Sequence, residues 1–350
     1  MSLRELIERT VRESGLRRAD LTFSGNDPFT NDTPGNRAWA EWIVGQIEAA
    51  PLTNRTIHPR GFHYVLVTRA PAKPDGQTYR NTEVDYKWMQ RGLALARWLG
   101  YLTFDQIADN RNSPPTVREH YRVSSVSGAY ILSGVDRDAL PAEDWADDLH
   151  PRVEPLGVWV EQPYRLVLVG EKSSLEPVLQ PLSERYTADL YLPSGDISDT
   201  LVWQMARTAS EDGRPMIAFY FSDCDPAGWN MPHVLSRKLQ ALQAVHLPNL
   251  DWRVIHAGLT PEQVKGHDLP TSPLQGKRSG VVERWRRRWG IEQTEIDAMA
   301  TLRPELLRRI AVDAVGPYFD STLTARSWAV RLRERLSHRR DHHDRCHEAL

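Results

Sequence analysis

Between Pro215 and Pro232 the chain reads PMIAFYFSDCDPAGWNMP. Met216 to Phe221 is an unbroken apolar run, followed by Ser222 and two carboxylates one residue apart, Asp223 and Asp225. A strand that is apolar on both faces belongs in the middle of a sheet covered on both sides, and such sheets are parallel. Pro226, Ala227 and Gly228 then turn the chain, and a helical pattern begins at Trp229. Parallel sheets bind ligands just beyond the carboxyl ends of their strands, where Asp223 and Asp225 fall. Two close carboxylates repel unless positive charge lies between them, and a hard divalent cation such as Mg²⁺ takes oxygen ligands.

The same rhythm runs to either side. RLVLVGE reads as a buried strand ending at Glu171, and Ser173 or Ser174 caps a helix through Tyr186. ADLYLPSGD is a second strand, Ser198 to Ser210 a helix, PMIAFYFSD the third strand, Gly228 to His246 the next helix, and WRVIHAG a fourth strand. This alternation predicts an α/β fold with a parallel sheet and right-handed crossovers. If the strands ending at Glu171 and at Asp223 are neighbours, Glu171, Asp223 and Asp225 meet at one edge and can hold Mg²⁺ for phosphoryl transfer.

The half before this sheet has a different character. Residues 1–50 are expected to be mostly helical, with a loop dense in turn residues from Ser24 to Asn36 and an apolar helix face carrying Trp39, Trp42 and Ile43. Residues 51–125 form a compact pattern: Pro59 opens a short helix into RGFHYVLV, PAKPDGQ is a polar loop, and Asn81 or Thr82 caps a helix from Glu83 to Leu99. Two helices, a turn and short apolar segments suit a winged-helix-like module, which can place a helix in a DNA major groove. Residues 110–163 read as a second small helical element and then a connector, assigned to 126–163. The α/β core is expected over 164–260, a helical extension over 261–336, and a charged tail over 337–350.

With 350 residues the chain is long enough for two or three domains. A net charge of −2 gives no overall basic footprint, so any nucleic-acid contact must come from local patches. Two cysteines, Cys224 and Cys346, make neither a disulfide framework nor a thiolate zinc site, and they suit a reducing cytoplasm. The opening MSLRELIERTVRESG is a charged amphipathic pattern without an apolar signal region, and no apolar run approaches the ~20 residues of a membrane span. A cytoplasmic protein without a membrane partner is expected.

VGEKSSLEPVL followed by FSDCDPAGWNMP resembles the Toprim domain of topoisomerases, bacterial primases and related nucleases, whose signature is a Glu after the first strand and a DxD after the third. The DPxG continuation is most similar to the A subunit of DNA topoisomerase VI and the related meiotic double-strand-break proteins, the type IIB group. The resemblance covers roughly Arg165 to Leu259 and, loosely, Ile291 to Leu306. It implies that Glu171, Asp223 and Asp225 bind Mg²⁺. Type IIB proteins also carry a tyrosine nucleophile on a winged-helix module, four residues after an arginine, and Arg60-Gly61-Phe62-His63-Tyr64 matches that spacing. A phenol with a pKa of ~10 needs a nearby cation to act as a nucleophile at neutral pH. Arg60, on the same helical face as Tyr64, is the candidate, and His63 a candidate base.

What the resemblance implies is a homodimer in which Tyr64 of one subunit attacks a DNA phosphodiester near the metal site of the other. The chain has no Gly-rich phosphate loop, so a strand-passing enzyme would need a separate ATPase subunit. The alternatives are a hydrolytic Toprim nuclease, for example in defence against foreign DNA, and a non-catalytic DNA-binding subunit. Glu295 and Asp297, in GIEQTEIDAM, resemble a Glu-x-Asp-Ala segment of relatives, although a solvated helix start explains them too. Lys277 and Arg278 stand where relatives carry a basic loop with an additional acidic residue, a pattern from which QGKRSG departs. In RWRRRW, Arg284 to Trp289, the tryptophans fall on one helical face with arginines outside. Arg308, Arg309 and the run from Arg331 to Arg340 are further candidates for a DNA track, and His343 and His347 lie four apart in the tail.

Overall fold

The computed structural model describes residues 3–15, 27–50, 56–108, 115–120, 161–193, 195–274, 279–323 and 326. One compact unit comprises Met1–His120 and Tyr164–Tyr318. A second comprises Tyr121–Pro163 and Phe319–Leu350, of which few residues are described. Within that second unit the Gln162 side chain brackets the Asp320 backbone, donating to its carbonyl at 3.0 Å and accepting from its N–H at 2.8 Å.

The first unit is mixed α/β. Its first part is helical: α1 (Leu3–Ser14), α2 (Pro28–Asn31), α3 (Pro34–Glu48), α4 (Pro59–Arg69) and α5 (Glu83–Trp98). Side-chain caps set three of these starts. Asp27 accepts from the Phe29 N–H, Thr33 from Asn36, and Thr82 from Asp85. The loop expected from Ser24 to Asn36 is therefore interrupted by α2 and the start of α3, because each proline stands in the first turn, where no N–H is needed. Helices α3, α4 and α5 bury Ile43, Phe62, Leu66, Met89 and Leu93 in one cluster. Gly92 permits the close approach: a Cβ there would stand 2.7 Å from Ile43 Cγ1. Lys73 and Asp85 form a buried ion pair at 2.9 Å beside this cluster.

The second part holds the five-stranded sheet: β1 (Thr116–Arg118), β2 (Arg165–Gly170), β3 (Asp189–Leu192), β4 (Met216–Phe221) and β5 (Trp252–Gly258), ordered β1-β3-β2-β4-β5. The last four run parallel, as their apolar runs require. Strand β1 pairs antiparallel with β3, Val117 opposite Tyr191, so the sheet is mixed. No helical element covers Thr116–Arg118, contrary to expectation; three residues carry no period, and pairing with β3 decides their state.

Helices cover both faces. Alternate residues Val167, Val169, Ala218 and Tyr220 pack with α7 (Asp199–Asp212) and α8 (Pro226–Val245). Helix α6 (Glu176–Tyr186) lies on β2 and β3, and α12 (Pro304–Val315) contacts α6 and β5. Between them come α9 (Pro261–Gly266), α10 (Ser279–Trp289) and α11 (Ile296–Leu302). Trp98 ties the helical part to this core, donating through Nε1 to Asp199 at 3.1 Å. At the amino ends of the strands, Arg165 and Asp189 form a buried pair at 2.6 Å, and Arg165 also reaches Asp212 at 3.0 Å. No helix among the described residues is long and apolar enough to cross a membrane.

Candidate metal centre

After β2 the chain moves to β3 on one side, then crosses back to β4 on the other. The crevice between the carboxyl ends of β2 and β4 is thus the topological switch point, where such sheets bind ligands. Glu171 follows β2 and Asp223 follows β4 after Ser222. The ladder between the strands continues into the site, the Glu171 N–H donating to the Phe221 carbonyl at 2.9 Å. One carboxylate oxygen of Glu171 then accepts the Asp223 N–H at 3.0 Å. Two residues remote in sequence are locked together by strand register.

Ser222 anchors the turn. Its hydroxyl donates to the Gly228 carbonyl at 2.9 Å and lies 3.2 Å from His256 Nε2. Gly228 is required: a Cβ there would stand 2.1 Å from the Asp223 carbonyl oxygen. Asp225 caps α8, one oxygen accepting the Gly228 N–H at 2.7 Å. Cys224 points into the core, and its backbone bridges Thr294 at 2.9 and 3.2 Å. That bridge brings Glu295, Ile296 and Asp297 to the edge, and the Ile296 N–H donates to Asp223 at 2.8 Å.

The cation at the centre of these groups is Lys172. Its ammonium lies 2.9 Å from Asp223, 2.8 Å from Glu295 and 3.1 Å from Asp297. Burial works against its charge, yet hydrogen bonds to Glu295 and Asp223 hold its pKa above the ordinary lysine value. Glu171 shows the opposite stress. Burial first, then the negative charges of Asp223 and Asp225, push its carboxyl up to about 7, against the pull of the Asp223 N–H and Lys172. Burial likewise raises the Asp223 carboxyl despite its lysine partner.

The sequence matches no protein-family model, and no curated protein is significantly similar to it. The fit to a divalent cation rests on chemistry: the donors are all hard oxygens, and Glu171 is a buried carboxyl beside the charges of Asp223 and Asp225. The hydroxyl of Tyr220, buried beside β4 and without a hydrogen-bond partner among the described residues, senses the charges of Glu171 and Asp196. Among the described residues no group of three His, Cys, Asp or Glu side chains is gathered closely enough to hold an ion. The Glu171 carboxylate meets the Asp223 backbone N–H, whereas the Asp225 carboxylate caps α8.

Tyr64 lies on α4 and is 53% exposed. Arg60 is one turn earlier, its guanidinium over the Tyr86 ring at 5.7 Å from the centroid. His63 turns inward, with Nδ1 2.7 Å from the Tyr79 hydroxyl and Nε2 3.1 Å from Asn81 Oδ1, so both its nitrogens are engaged away from Tyr64. Lys277, Arg278, the run from Arg331 to Arg340 and the tail with His343 and His347 lie outside the described residues. Sequence reasoning gave Lys172 no role, although a lysine directly after a strand-end glutamate was the available signal. Ser222 and the Ile296 N–H carried no signal at all.

Proposed function

We propose that this chain is a Mg²⁺-dependent DNA-binding and DNA-cleaving enzyme. On this reading its sheet is a Toprim-like domain, its helical part a winged-helix-like module, and its activity similar to that of type IIB topoisomerase A subunits. The observation that carries the reading is the contact of Glu171 with the Asp223 backbone at the switch point of the sheet. Glu171, Asp223 and Asp225 are the residues to hold Mg²⁺, which supplies charge stabilisation to a transferring phosphoryl group. Lys172 offsets the surplus carboxylate charge and aligns Asp223 with Glu295 and Asp297. Tyr64 is the nucleophile: its phenolic oxygen bonds to phosphorus, the bond from phosphorus to the 3′ oxygen breaks, and the proton lost by the phenol is balanced by that gained by the leaving hydroxyl. Arg60 stabilises the phenolate or the attacked phosphate. A second copy of the chain supplies the facing metal edge, and strand passage needs a separate ATPase subunit.

The test is incubation with supercoiled plasmid in Mg²⁺ or EDTA, with products compared before and after protease. Mg²⁺-dependent breaks that carry protein, absent in Tyr64→Phe, are expected. Persistence of the adduct in that variant removes the nucleophile. A hydrolytic reading is favoured by one observation: Arg60 is engaged with Tyr86, and the Tyr64 hydroxyl has no hydrogen bond among the described residues. It predicts protein-free breaks that survive Tyr64→Phe and vanish in Asp223→Ala.

A further inference from the structure

Helix α10 carries Arg284, Arg286, Arg287 and Arg288 in a stretch of five residues. Its inward face is apolar and aromatic. Val282 and Trp285 are buried, and Trp285 and Trp289 pack on Trp229, with ring centroids at 6.3 and 5.0 Å. Trp229 belongs to the first turn of α8, directly beyond Asp225. The far end of α10 is tied to the same edge. Trp285 Nε1 donates to the Glu292 carbonyl at 3.4 Å, and Thr294 bridges Cys224. The helix is therefore clamped to the carboxylate edge from both its face and its exit.

The four arginines are not equivalent. Arg286 is held by Glu292 in a two-pronged pair at 2.6 and 2.8 Å. Arg284, Arg287 and Arg288 are exposed and form no ion pair among the described residues. At spacings of three and four they line one outward ridge. Arg288 lies 4.7 Å from the Trp289 ring centroid, which fixes one end of that ridge. Guanidinium groups in a row, without carboxylate partners, match a ladder of phosphates.

We propose that the ridge Arg284–Arg287–Arg288 is the phosphate-backbone track that leads duplex DNA to the carboxylate edge. This rests on the DNA-cleaving function proposed above and adds to it where the duplex lies. The partner is a nucleic acid and not a lipid surface, because a membrane-lying helix turns its tryptophans outward, whereas Trp285 is buried and Trp289 half-buried.

The full chain is titrated in EDTA against a fluorescent duplex oligonucleotide over a range of KCl concentrations. R284Q/R287Q/R288Q is compared with a charge-matched control at exposed arginines, R9Q/R12Q/R185Q. Circular dichroism and a melting curve establish that both variants are folded. The ridge variant is expected to flatten the slope of log affinity against log salt by about 2–3 and to lower affinity at least about tenfold. The control keeps the wild-type slope. Wild-type binding with an unchanged slope in the ridge variant overturns the track and leaves the DNA-cleaving reading standing. An equal loss in both variants overturns it also, as a bulk charge effect. Failure of the wild-type chain to bind duplex in EDTA, or binding only to anionic phosphatidylglycerol vesicles, overturns the track, and the plasmid assay in Mg²⁺ decides the DNA-cleaving reading separately.

Discussion

Lys172 does the work of a counter-ion. Its single ammonium lies within 3.1 Å of three carboxylates contributed by two distant segments. Removing that charge leaves Asp223, Glu295 and Asp297 facing one another. The Lys172→Met variant is expected to lose about 1–3 kcal/mol of stability in EDTA, since a partly buried pair is broken on one side only. Added Mg²⁺ should raise the melting temperature of the variant more than that of the wild-type chain. A variant as stable as wild type in EDTA means that the lysine is incidental. At this scale the sequence was legible where chemistry and position coincide, as at Glu171 and Asp223. It was not legible where the partner is a backbone N–H, as with Ile296 on Asp223, because every residue offers the same donor. Asp225 shows both faces of its motif: it stands next to the cluster, yet it serves as the helix cap that an isolated DxD more commonly is.

Among the elements, β2, β3 and β4 were legible because central parallel strands are apolar on both faces, and the ends of β2 and β4 placed the site; β5, at the sheet edge, was legible from the strand–helix alternation. WRVIHAG is the strand Trp252–Gly258. Strand β1 was not, and neither was the ion cluster under the sheet, since nothing in the local pattern pairs Arg165 with an aspartate on the next strand. That cluster holds the amino ends of β2 and β3 together. Arg165 and Asp189 are 5% and 2% exposed, and the second Asp189 oxygen accepts the His120 N–H at 2.7 Å. Asp189→Asn keeps the shape and leaves the Arg165 guanidinium to Asp212 at 3.0 Å, so urea denaturation should show a loss of about 2–3 kcal/mol. A loss below 1 kcal/mol would mean that Asp212 alone suffices as partner.

At the scale of the whole molecule, one contribution to acid sensitivity comes from His256 on β5. Burial, with a smaller push from His233, lowers its pKa to about 4, while Glu262 and a hydrogen bond with Gly258 pull the other way. The unfolded chain takes up that proton near pH 6.5, the folded chain near pH 4, so stability is complete above pH 6.5 and falls as pH drops between the two. From pH 7 to about pH 4.5 the wild-type chain should lose about 2 kcal/mol more than His256→Gln in chemical denaturation; the raised Glu171 carboxyl, present in both proteins, acts with the opposite sign over the same range. Equal slopes for both proteins would assign the acid sensitivity elsewhere. The α/β class was readable from strand–helix alternation across 165–258, while the helical part was readable only as separate helices, because α3, α4 and α5 meet through contacts such as Gly92 on Ile43 that no period announces.

The proposed function stands on Mg²⁺ binding by Glu171 and Asp223, with Asp225 beside them, at the end of the β2–β4 crevice. Calorimetric titration of Mg²⁺ into the full chain tests it without DNA. Saturable binding by the wild-type chain, abolished in Glu171→Gln and in Asp223→Asn with the fold intact, is the result expected. No saturable binding by the wild-type chain, or the same binding in both variants, would contradict it.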